Sequence, residues 1–232
     1  MSHSYLMFEL ENYHNNKSCN FHLYDDCLIC NIVKKNKIYE EFLHKIFEKY
    51  VNKNSVVIEG GCHIGLHSVK LSKLCQQLYC FEPLDTSFEL LSKNLKENKC
   101  NNVKTFNKAL SNNNNKIKFN WITSNNPGGS GLDNNPMGNI MPTSTNKETE
   151  CITIDNLKLN KLDFIKLDIE GYEPLALEGA LNTIKKYKPI IVLECWADHS
   201  GNANLEHTKT LYKDFIELGY SIEQISHSDY LL

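Results

Sequence analysis

The stretch SVVIEGGCHIGLHSVKLSKL, residues 55–74, decides how the rest of the chain is read. Val56, Val57 and Ile58 form a short uninterrupted apolar run, the pattern of a strand buried on both faces in a parallel sheet. Gly60, Gly61 and Gly65 provide a tight turn, and Leu66, Val69 and Leu74 then recur at helical spacing. Strand, turn and helix in this order predict the opening unit of a doubly wound α/β fold. Working outward, Leu78–Glu82 is a second buried strand ending in an acid. After Pro83, the residues Phe88, Leu91 and Leu95 mark an amphipathic helix, with Glu89 and Lys93 as a favourable i,i+4 pair. Upstream, Ile38, Phe42, Ile46 and Phe47 predict a helix that runs to Tyr50.

Downstream, strands are expected at 103–106, 116–122, 162–168 and 189–194, with helices at 175–186 and 205–218. Two short strands, 220–225 and 230–232, close the chain. Such alternation predicts an α/β fold with a mostly parallel sheet and helices on both faces. Residues 124–147 hold three prolines and four glycines without periodicity and are expected to be an acceptor-side loop. Residues 1–37 are expected to form a strand and hairpin extension turning at Asp25-Asp26. Cys27 and Cys30 would then be ordinary strand cysteines, since no second ligand pair follows. The main domain is expected over 38–232, and the extension to serve as a dimerisation arm or an acceptor-side cap, which leaves a homodimer open.

All 25 basic side chains are lysines, so no arginine finger, guanidinium clamp or guanine-reading fork is available. A net charge of −3 argues against nucleic acid as a partner. No apolar run approaches the roughly 20 residues needed to span a bilayer, so no membrane partner is expected. The N-terminus lacks a basic start followed by an apolar region, and nine scattered cysteines fit reduced thiols. Both observations lead to the expectation of a cytoplasmic protein.

In a doubly wound sheet the ligand sits outside the carboxyl ends of the strands, where the winding reverses. Four predicted strands end in acids there: Glu59, Glu82, Asp168 and Glu194. A nicotinamide site wants G-x-G-x-x-G, so that a pyrophosphate can approach the helix N-terminus. Here the pattern is Glu59-x-Gly61-x-x-x-Gly65, and a carboxylate in that place repels a pyrophosphate. It suits a ligand with an ammonium group and no phosphate, such as S-adenosylmethionine. Glu82, about 20 residues beyond the glycines, is placed to accept both ribose hydroxyls. His63 and His67 stand at i,i+4, but no glutamate lies between them in the metal-binding manner and no third ligand is evident. No metal is expected.

Seven blocks carry a resemblance: VVIEGGCHIGLHSVKLS (56–72), YCFEPLDTSFELLSKNLKEN (79–98), VKTFNKALS (103–111), GGSGL (128–132), ITIDNL (152–157), LDFIKLDIEGYEPLALEGA (162–180) and KPIIVLE (188–194). In order and spacing, residues 38–232 resemble the FkbM family of S-adenosylmethionine-dependent methyltransferases. The FEP and IKLDIEGYE blocks are the specific ones, because many class I methyltransferases share the glycine loop. The resemblance implies a seven-stranded Rossmann-like sheet with an antiparallel last strand, and O-methyl transfer to a hydroxyl of a small acceptor such as a sugar or glycan. It implies that Glu59 faces the methionine amino group and that Gly61 and Gly65 pass under the cofactor. Glu82 would hold the ribose, and Ala109, within Asn107–Leu110, would supply the adenine edge. His63 stands where the family commonly has asparagine, which leaves its contact open. Asp168 would lie between the methionine end and the acceptor. An alcohol acceptor is helped by a base that takes its proton, and the candidates are Asp168, Glu170 and His199. The alternatives are a binding module without turnover and, against the Glu59 argument, a nicotinamide-dependent oxidoreductase.

Overall fold

The structure, a computed structural model, describes residues 5–14, 17–25, 27–36, 38–122, 131–132, 144–194 and 213–232. The chain opens with β1 (Tyr5–His14), β2 (Lys17–Tyr24), α1 (Leu28–Asn36) and α2 (Glu41–Tyr50). There follow β3 (Val56–Gly60), α3 (Leu66–Leu74), β4 (Gln77–Phe81), α4 (Asp85–Glu97) and β5 (Val103–Phe106). Next come β6 (Ala109–Leu110), β7 (Lys116–Ile122), β8 (Gly131–Leu132) and β9 (Ser144–Ile152), then a short 3-10 turn at Ile154–Leu157. The last part contains β10 (Phe164–Leu167), α5 (Glu173–Glu178), α6 (Leu181–Tyr187), β11 (Ile190–Glu194), β12 (Glu223–Gln224) and β13 (Asp229–Leu231).

Seven strands form the main sheet in the order β12-β13-β11-β10-β3-β4-β5. From β5 to β11 every pairing is parallel, and β13 returns antiparallel against β11. This is the expected doubly wound, Rossmann-like sheet with an antiparallel last strand. The winding leaves β3 first towards β4 and β5, then resumes on its other side with β10 and β11. That reversal puts the crevice between the tips of β3 and β10.

Both faces are apolar, as the continuous strand runs require. Val57, Leu78 and Cys80 pack with α3, α4 and Phe47 on one side. Ile58, Phe81, Ile165 and Leu193 pack with Ala176, Leu177, Ile184 and Phe215 on the other. Leu10, Phe21 and Leu23 of the N-terminal hairpin are fully buried in the first of these clusters. At about 2 kcal/mol for each such side chain, the hairpin contributes to the core on the scale of a small protein's net stability. Its outer edge is satisfied by α4. Asn94 Oδ1 accepts from His22 N at 2.6 Å, and Asn94 Nδ2 donates to His22 O (3.1 Å) and to Ile64 O (2.7 Å). Asn98 serves the backbone of Asn20 in the same way. Among the described residues no helix is long and apolar enough to cross a membrane.

Four expectations need correction. The hairpin turns between His14 and Lys17, not at Asp25-Asp26. Cys27, Cys30 and Val33 lie on one fully buried face at spacing three, so they belong to a helical turn and α1, not to a strand. The loop expected to end at 147 gives way at Ser144 to β9, which pairs with β7 from Ser144↔Ile122 to Glu150↔Lys116. The alternation of β7 implied such a partner. The single helix expected at 175–186 is two helices. It breaks at Gly179, where an added Cβ would lie 2.0 Å from Ser111 O, and Asp155 then caps α6 by accepting from Thr183 N at 2.8 Å. The expected helix at 205–218 is described only from residue 213, and is helical at 213–217.

Candidate functional site

The tips of β3, β4, β10 and β11 share one edge, which gathers Glu59, Glu82, Asp168 and Glu194. The glycine turn lies across it. Gly61 has φ +75°, and its N–H donates to Phe81 O at 3.0 Å. A Cβ there would stand 1.6 Å from Asp168 O, so only glycine lets the turn rest on the tip of β10. Gly65 has φ +87° and opens α3, where a Cβ would meet Leu91 Cδ1 at 2.7 Å.

Glu82 is 6% exposed and accepts from His63 N (2.7 Å) and Leu84 N (2.8 Å). Burial pushes its pKa up to about 7, against the pull of those two N–H groups. Asn107 Nδ2 donates to Glu82 O at 3.0 Å, so the segment expected at the adenine edge begins beside Glu82. Ala109 is buried within β6 and pairs with Cys151 of β9. Glu59 is 1% exposed; its Oε2 accepts from Ser68 Oγ at 2.6 Å, and its Oε1 finds no partner among the described residues. His63, at φ +48°, also keeps a buried Nε2 without a partner. Burial lowers its pKa to about 4 despite the nearby Asp168 charge, so the ring is neutral at physiological pH. Two orphaned polar atoms beside a glycine cradle are what a polar ligand would complete.

On the other side of the turn, Asp168 Oδ2 lies 3.0 Å from Lys166 Nζ, and a carboxylate oxygen of Asp168 lies within 4.8 Å of one of Glu194. Burial would raise the Asp168 pKa, but the Lys166 ammonium and the Glu194 contact hold it below the usual value. Burial first, and the Asp168 charge second, push Glu194 up to about 10. Glu194 Oε1 also accepts from Ser228 Oγ at 3.2 Å. Glu170, at φ +54°, is pushed up to about 8 by burial and by the charges of Asp168 and Glu173. Oxygens of Asp168, Glu170 and Glu194 all lie within 4.8 Å of one another. Glu173 accepts from Ile169 N at 2.7 Å, which fixes the turn that presents Glu170.

The structure therefore brings together Glu59, Gly61, His63, Gly65, Glu82, Asp168 and Glu170. His199 and residues 124–130 and 133–143 of the acceptor-side loop lie outside the described residues. His67 does not pair with His63 as a metal face; its Nε2 meets Glu40 Oε2 at 2.9 Å. Sequence reasoning missed Lys166, which is 2% exposed and in register with Glu59 on the neighbouring strand. Its signal was a lysine inside the otherwise apolar strand Phe164–Leu167. Ser68, which holds Glu59, carried no signal beyond its place one turn into α3.

Comparison with known proteins follows the same lines. The methyltransferase FkbM domain matches residues 60–222. A methyltransferase FkbM from Methylobacillus flagellatus KT is similar in structure, with a TM-score of 0.52 at 15% identity. The similarity covers 88% of this chain and 52% of that one, so this chain spans about half the length of that protein. A putative rRNA-methylase from Clostridium thermocellum gives a TM-score of 0.52 at 12% identity, over 82% of this chain and 91% of that one. At such identities the two structures show a shared fold. No sequence among curated proteins matches.

Proposed function

This chain belongs to the methyltransferase FkbM domain family, and from that premise we propose that it transfers a methyl group from S-adenosylmethionine to a hydroxyl of a small acceptor such as a sugar or glycan. The observation that carries the reading is the pair of buried atoms without a partner among the described residues, Glu59 Oε1 and His63 Nε2, on the strand and turn that hold Gly61. The donor set fits this cofactor. Glu82 has lone pairs left for two ribose hydroxyls, Glu59 offers a free carboxyl oxygen, and Asp168 offers negative charge to an ammonium group. Four acids on one edge disfavour the pyrophosphate of a nicotinamide cofactor.

The cofactor supplies an electrophilic methyl group on a sulfonium. The protein's part is alignment and proton handling. In the transfer a carbon–oxygen bond forms, the carbon–sulfur bond breaks, and the acceptor oxygen loses its proton. Asp168 suits that proton because it is ionised, 29% exposed and at the strand tip. Glu170 is the second candidate once deprotonated. The missing arginines favour an unphosphorylated acceptor, since a diphosphate would have to be held by lysines, backbone N–H groups or a metal ion with no guanidinium available.

The test has two stages. Calorimetry with S-adenosylhomocysteine should show binding by the wild-type chain that Glu82→Ala weakens at least tenfold; no binding, or equal binding by both, would refute the site. A screen of free glycans, nucleotide-sugars and small phenols, read as S-adenosylhomocysteine release, should then find turnover with a hydroxylated acceptor. Binding without turnover across all of them would favour a module that only holds the cofactor.

A further inference from the structure

The tips of β10 and β11 present two carboxylates, Asp168 and Glu194, with oxygens within 4.8 Å of each other, and the Lys166 ammonium lies 3.0 Å from Asp168 Oδ2. Two carboxylates this close in a largely buried site repel each other's charge, which favours one shared proton at neutral pH. Which member carries it is set by the charges around them. We infer that Lys166 is a positioning residue that decides this. Its ammonium, 3.0 Å from Asp168 Oδ2, keeps Asp168 as the charged member and leaves the shared proton on Glu194. Resting on the proposed cofactor reading, this makes Asp168 the carboxylate that meets the cofactor's ammonium group and receives the acceptor's proton, and Glu194 the hydrogen-bond donor behind it.

The geometry is asymmetric in the required direction. Lys166 is 2% exposed, its ammonium contacts Asp168, and no ion pair joins it to Glu194 among the described residues. Glu194 Oε1 accepts from the Ser228 hydroxyl at 3.2 Å, a weaker aid to ionisation than a cation. From their own turn, the carboxyl groups of Glu170 and Glu173 face the pair, and whatever charge they carry opposes a second charge on Glu194. Tyr39 and Glu40 lie ahead of α2, Asp229 lies on β13, and His63 and His67 approach from the β3 side. Of all these groups Lys166 is the one lysine, so its removal takes away the fixed positive charge. The shifted pKa values of Asp168 and Glu194 agree with this division.

The test uses two ligands on the intact chain. S-adenosylhomocysteine carries the amino-acid end, whereas 5′-methylthioadenosine has the same ribose and adenine without it. The ratio of their affinities therefore isolates the ammonium contact from any titration of Glu82. In the wild type the ratio should stay constant within about twofold between pH 8 and pH 6. In Lys166→Met the ratio should be about tenfold lower than in the wild type across that range, because the shared proton moves onto Asp168, and Lys166→Arg should restore it. A Met variant with the wild-type ratio would overturn the assignment. Failure of the wild type to bind S-adenosylhomocysteine at all would instead overturn the cofactor reading beneath it. A second measurement does not depend on the folding of a lysine variant. Infrared spectra at about pH 9, above the values of Glu82, Glu170 and Glu173, should show a protonated-carboxyl band in the wild type that Glu194→Gln removes. Persistence of the band in that variant would overturn the assignment.

Discussion

Gly61 and Gly171 allow the glycine turn to be tested by substitutions that differ in one respect only. Both have positive φ, +75° and +93°, so an alanine at either place costs roughly 1–2 kcal/mol in backbone strain. At Gly171 nothing lies within 4 Å of an added Cβ, and the cost ends there. At Gly61 the added Cβ would lie 1.6 Å from Asp168 O, a backbone atom that cannot swing away. Ordinary contact needs about 3.4 Å or more, so the tips of β3 and β10 must part by well over ~1 Å. That movement strains the Asp168 N to Gly60 O bond, 3.2 Å long, and repacks Ile169, adding about 2–4 kcal/mol. Gly171→Ala should therefore lower Tm by roughly 2–8 °C and Gly61→Ala by roughly 6–24 °C, about three times as much, taking about 2–4 °C per kcal/mol for a domain of this size. Differential scanning calorimetry on the two variants measures this directly. Calorimetry with S-adenosylhomocysteine should add that Gly61→Ala loses binding at temperatures where it is still folded. Equal melting shifts, or a Gly61→Ala variant that binds normally, would refute the claim that this turn rests on β10.

Three further outcomes follow from contacts at the site and the hairpin. Glu82 ionises at about 7 in the free protein, and its charged form is the one that accepts ribose hydroxyls. The affinity for 5′-methylthioadenosine should therefore fall about tenfold from pH 8 to pH 6 in the wild type and stay flat in Glu82→Gln; a wild type without this slope would contradict the role. For stability the sign is opposite. Because the folded pKa of Glu82 is raised, its protonated form stabilises the fold below the unfolded pKa, and that contribution is lost as pH rises through about 7. Ser68→Ala leaves buried Glu59 without its hydroxyl donor and should cost about 1–3 kcal/mol in urea unfolding; an unchanged unfolding free energy would count against that contact. Asn94→Ala removes three hydrogen bonds between α4 and its neighbours and should raise amide exchange along β2 before the main sheet; unchanged exchange at His22 would count against that docking.

Much of this architecture is legible residue by residue. Apolar runs mark the buried parallel strands because helices cover both faces of the sheet. The acids at 59, 82, 168 and 194 are legible because a strand's end is a local feature of the chain. The errors have equally local causes. Cys27, Cys30 and Val33 form a helical face of only three residues, too short to outweigh the apolar run before it. The break at Gly179 depends on Ser111, a residue far away in sequence that approaches within reach of the helix.

Sequence by itself determined the parallel core strands, the glycine turn and the set of carboxylates at one edge, because each follows from backbone preference or from burial patterns within a few residues. Tertiary structure alone decided what those carboxylates are. Glu59 is held by Ser68 and Glu82 by two N–H groups, while Asp168 is held charged by Lys166 and Glu194 is raised to about 10. The state of a buried acid depends on desolvation and on charges brought within a few ångströms, and those neighbours come from distant parts of the chain.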